Sequence, residues 1–126
     1  MRILGLTLMA VALAGCSTTP PAVYTQASAS LSPECLALFA DDVYQSRAQG
    51  VHIKPIFAVA FSDDKKDMVC TYAAHSILRE FSESNRESAV QRCEEAKAIW
   101  VYNAKIPLGS CEVFAEGNTI VYGNQP

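Results

Sequence analysis

The sequence predicts an α+β domain, a single small unit with two helices packed on an antiparallel sheet in the order helix, hairpin, helix, hairpin. Two observations predict it. Apolar residues recur at helical spacing in two stretches, 35–43 and 89–100, and each is followed by a pair of short strand-forming runs around a polar turn.

The first helix is expected over 32–49. Ser32-Pro33-Glu34 supplies an N-cap, a proline at the first helical position and an acid in the first turn. Cys35, Leu36, Leu38, Phe39, Ala40 and Val43 then form an apolar face, and Gly50 offers a left-handed stop. Ile56 to Phe61 follows as a strand, with Phe57, Val59 and Phe61 on one face and Pro55 tolerated only at its start. Asp63-Asp64-Lys65-Lys66-Asp67 is the turn, and Met68 to Ala73 the return strand. Residues 75–82 fit either a helical turn or a strand extension.

Ser84-Asn85-Arg86-Glu87 has the pattern of a capping box and is expected to open the second helix. Its inward face carries Ala89, Cys93, Ala96 and Trp100. Pro107 and Gly109 break the chain. Residues 111–115 and 119–122 then flank Glu116-Gly117-Asn118 as a second hairpin, where Asn118 suits a turn better than a ligand role.

The chain holds five cysteines. Setting Cys16 aside leaves Cys35, Cys70, Cys93 and Cys111, an even number in a small domain, which reads as two disulfides. Cys93 faces inward from the second helix and Cys111 begins the next strand, so these two are paired, leaving Cys35 with Cys70. Four cysteines allow three pairings, and the other two stay open. No C-x-x-C spacing exists, so neither a zinc ribbon nor a thioredoxin-like redox motif is present.

Ala89-Val90-Gln91-Arg92-Cys93-Glu94-Glu95-Ala96, then Cys111-Glu112-Val113-Phe114-Ala115, then Gly117-Asn118-Thr119-Ile120-Val121, resembles small exported bacterial domains of unknown function. The resemblance spans about 84–122, roughly a third of the chain. It implies a helix cysteine bridged to a strand cysteine, in line with Cys93 and Cys111. It implies no activity, and Cys35 lies outside it.

The N-terminus speaks to location. Arg2 is followed by an apolar run from Ile3 to Leu13, shorter than the ~20 residues a spanning helix needs. Leu13-Ala14-Gly15-Cys16 then matches the bacterial lipobox, which identifies the chain as similar to bacterial lipoproteins. The resemblance implies a signal peptide over 1–15, lipid on Cys16 and a membrane anchor. Ala12 and Ala14 would also serve an ordinary secretory signal. Ser17, where Asp would retain a lipoprotein at the inner membrane, implies the outer membrane, facing the periplasm. Residues 16–31 are rich in Ser, Thr, Ala and Pro and are expected to form a flexible tether, with the folded domain over 32–123.

Charge narrows the partners. The whole chain has a net charge of −3; without Arg2 it carries nine basic against 13 acidic residues. Lys65-Lys66, the one basic pair in the turn, is enclosed by Asp63, Asp64 and Asp67, so nucleic acid is not an expected partner.

No catalytic, metal or cofactor-binding set is expected. His52 and His75 lack a partner that sequence can place. Ser76 sits beside His75 without a G-x-S-x-G elbow. Glu94 and Glu95 point about 100° apart on a helix and read as solvated. Trp100, Tyr102 and Ile106 are the candidates for a partner-binding patch, with Trp100 continuing the buried face. The expected function is therefore a non-catalytic cell-envelope lipoprotein that binds a protein partner or supports an envelope assembly. A periplasmic inhibitor or immunity-type protein and a small envelope hydrolase are the alternatives.

Overall fold

The computed structural model describes residues 21–50, 53–75 and 81–123. The expected signal peptide, Cys16 and the first residues of the expected tether lie outside them, as do His52 and Ser76. The domain is α+β. Its elements are α1 (Pro21–Ser28), α2 (Pro33–Phe39), α3 (Asp42–Ala48), β1 (Ile56–Phe61), β2 (Met68–Ala73), α4 (Phe81–Ala104), β3 (Glu112–Glu116) and β4 (Thr119–Ile120).

The four strands form one antiparallel sheet in the order β2-β1-β3-β4. The chain leaves β2, passes through α4 and returns as β3 on the far side of β1. This crossover makes β1 central and leaves β2 at a rim. Helices cover both faces. On one, Phe57, Val59 and Phe114 pack with Ala27, Leu31, Cys35, Phe39 and Tyr44 from α1 to α3 and their connections. On the other, Ile56, Ala58, Ala60 and Ala73 meet Ala89 and Cys93 of α4. The alanines on this second face let α4 lie close to the sheet, so β1 is buried on both sides along most of its length.

Three expectations about the helices are corrected. The single helix over 32–49 is two short helices, broken at Ala40–Asp41. Ser32 does cap α2, its hydroxyl accepting from the Cys35 N–H (3.2 Å), but Asp41 caps a new helix, accepting from the Val43 N–H (3.0 Å). The break lets both Phe39 and Tyr44 reach the core, where their ring centroids lie 5.4 Å apart. Gln45, fully buried, donates its side-chain amide to the Phe39 carbonyl that the break leaves free (2.9 Å). Second, residues 21–28 of the expected tether are helical. Ala27 and Leu31 are buried against the sheet, so the packed unit begins about ten residues earlier than composition suggests. Small residues here serve close packing rather than flexibility.

α4 begins at Phe81, so Ser84-Asn85-Arg86-Glu87 lies inside the helix, not at its start. Asn85 explains why the first turns can form: buried completely, it accepts from the His75 N–H (2.9 Å) and donates to the Lys54 and His75 carbonyls (3.0 and 3.1 Å). The helix is thereby tied to the open end of the β1–β2 hairpin, where β1 begins and β2 ends.

Cys35 is bonded to Cys70 and Cys93 to Cys111, with Cα–Cα distances of 5.9 and 6.0 Å. The first joins α2 to the rim strand. The second joins α4 to the approach to β3.

Candidate functional site

The site is built on the last turns of α4. Residues 89, 93, 96 and 100 follow the inward face. Ala89 and Cys93 are fully buried, but Ala96 and Trp100 are only partly so, Trp100 lying beside Met68 to Cys70 of the rim strand. Lys97 bridges Glu94 (2.8 Å) and donates to the Gly109 carbonyl (3.1 Å).

Near its end α4 exposes two large apolar side chains, Ile99 (65 % exposed) and Tyr102 (74 %), and Ile106 (36 %) follows in the loop beyond it, beside the β1–β2 turn residues Ser62 to Asp64. Trp100 lies between them and the sheet rim. An open concavity of about 450 Å³, almost wholly apolar, is lined by Ala96, Ile99, Trp100, Asn103 and Ala104. Of the three patch residues named from sequence, Tyr102 and Ile106 are exposed and Trp100 is partly buried beside them. Ile99 was missed. It is apolar and falls off the 89-93-96-100 face, which was signal enough.

The other candidates fall apart spatially or take structural roles. His75 is exposed, and its backbone is held by Asn85. Glu94 and Glu95 do not share a site. Glu94, expected to be merely solvated, accepts from Lys97 and from the Cys111 N–H (3.0 Å), contacts that hold its carboxyl below the usual range. It fastens the chain at the start of β3. Asn118 sits in the two-residue β3–β4 turn and exchanges amide hydrogen bonds with Gln45 (3.1 and 2.9 Å). Gly117 precedes it at φ +60°, a conformation that favours glycine. Among the described residues, no group of three His, Cys, Asp or Glu side chains could hold a metal ion, and no helix is long and apolar enough to cross a membrane.

Comparison with protein-family models, with curated proteins and with solved structures finds no match to this chain.

Proposed function

We propose that this protein is a lipid-anchored component of the cell envelope that binds a protein partner and performs no chemistry of its own. One observation carries the binding reading: Ile99 and Tyr102, three residues apart on α4, both expose large apolar side chains, and Ile99 lines an open apolar concavity with Trp100. Isolated exposed apolar residues are ordinary, but neighbouring ones on a helix that include an aromatic favour an interface. The lipobox at 13–16 supports the anchor, and two disulfides accord with an oxidising compartment. Two or more acyl chains on Cys16 would make the attachment stable.

The test has two arms. Mass spectrometry of the membrane-extracted product should show cleavage before Cys16 and added diacylglycerol, and Cys16→Ala should release the domain from membranes. A photo-crosslinker at Tyr102 should then join one reproducible protein partner, and Ile99→Glu should abolish the crosslink. An unlipidated, freely soluble product overturns the anchor; no specific crosslink in intact membranes overturns the partner.

A further inference from the structure

The rim strand β2 has unused hydrogen-bonding capacity, and its position can be worked out from the ladder. In antiparallel pairs, the N–H and C=O of one residue point to the same side and those of the next to the other. The Phe61 carbonyl accepts from the Gly109 N–H on the β3 side (2.8 Å), whereas the Ser62 N–H donates to the Asp67 carbonyl on the β2 side (2.9 Å). The register then turns the backbone of Val69, Thr71 and Ala73 towards β1 and that of Met68, Cys70 and Tyr72 outwards. Arg92 reaches the Tyr72 carbonyl (3.0 Å) from that outer side, and Arg47 reaches the Ala74 carbonyl (2.9 Å). These two guanidiniums close one end of the rim. Among the described residues, the outward N–H and C=O groups of Met68 and Cys70 have no partner.

This open stretch is recessed. Ser32 and Glu34 of the α2 start wall it on one side and Trp100 on the other, around a groove of about 410 Å³ that ends at Lys66 and Asp67. Trp100 also lines the apolar concavity beside Ile99, so the two depressions share one wall.

We infer that the groove receives an extended segment of a partner protein, which adds a short strand to β2 and seats an apolar side chain beside Trp100 and Ile99. This rests on the partner-binding reading and specifies the partner's form. Donors and acceptors repeating every second residue, about 7 Å apart, match the backbone of another extended chain. A lipid surface offers no such repeat. A second copy of this domain fits poorly, because its own rim is recessed between the same walls and would have to enter the groove with them.

The test uses the mature, disulfide-bonded domain and a phage-displayed library of random dodecapeptides. Selected peptides should alternate apolar residues, and their binding should protect the Met68 and Cys70 amides from hydrogen–deuterium exchange. N-methylation of the peptide at the paired position should weaken binding at least tenfold, as should Trp100→Ala with unchanged circular dichroism. No enrichment over a blank surface, peptides that protect other amides, indifference to N-methylation, or β2 amides protected by self-association would each overturn strand addition. If strand addition fails while the Tyr102 crosslink in membranes persists, the partner-binding reading survives without it.

Discussion

Tyr44 is buried where α3, the sheet and the β3–β4 turn meet. Its ring packs edge-on to Phe57 (5.7 Å between centroids), and its hydroxyl donates to the Gly117 carbonyl at 2.7 Å. Removing only that hydroxyl leaves a buried carbonyl unsatisfied, so Tyr44→Phe should cost about 1–3 kcal/mol in urea denaturation. Burial first, and the nearby Glu116 carboxylate second, push the phenol well above the ordinary tyrosine value of 10.0. The unfolded chain therefore gives up this proton before the folded one does. Stability is intact below pH 10.0 and falls as pH rises beyond it towards the folded value. Tyr72, raised more weakly by partial burial and by its bond to Asp41 (2.9 Å), adds to the same slope. Wild type should lose stability above pH 10.0 more steeply than Tyr44→Phe; equal slopes would show that Tyr44 does not carry the effect.

At the scale of elements, the ends of α4 show what a stop signal is worth. Pro107 and Gly109 advertise a break, yet the helix ends earlier, at Ala104. Lys105 takes φ +63° and donates its N–H to the Val101 carbonyl (2.9 Å), the geometry usually left to glycine. A left-handed residue with a Cβ costs roughly 1–2 kcal/mol. Against that, the Lys105 ammonium sits 4.6 Å from the Tyr102 ring centroid and donates to the Tyr102 carbonyl (2.9 Å), exposed contacts worth together about 0.5–1 kcal/mol. The strain is the larger, so Lys105→Gly should stabilise by about 0.5 kcal/mol, raising Tm by roughly 2–4 °C for a domain of this size. A lower Tm would mean the cation–ring contact outweighs the strain. β1 and β2 were legible residue for residue because Pro55 and an apolar run mark the first and the polar turn at 63–67 separates it from its return. The break at Asp41 was not, since an acid on a polar helix face and an N-cap look alike until Tyr44 must be buried. The exposure of Tyr102 beside a partly buried Trp100 was readable from helical spacing, whereas Ile106 lies beyond the helix. The open rim at Met68 and Cys70 was not, because it depends on β3 crossing to the far side of β1, and strand order leaves no local mark.

Across the whole molecule, the two disulfides divide the work of holding two helical layers to one sheet. The bonds join residues 35 and 18 positions apart. Chain entropy gives about 4 and 3 kcal/mol respectively, together comparable with the ~5–15 kcal/mol that holds a small domain folded. The domain fully reduced should therefore be largely unfolded at physiological temperature. The order of loss follows exposure. Cys93 is fully buried and Cys111 nearly so, whereas Cys70 is half-buried and lines the rim groove. A thiolate must approach the sulfur it attacks, so limiting reductant should open Cys35–Cys70 first and free the α1–α3 layer from β2. Timed alkylation with mass mapping reads the order directly. A strand seated on β2 would stand between reductant and Cys70, so a selected peptide should slow this first step and leave Cys93–Cys111 unaffected. Early reduction of Cys93–Cys111 instead would show that local opening of α4, rather than access through the groove, governs how the domain comes apart.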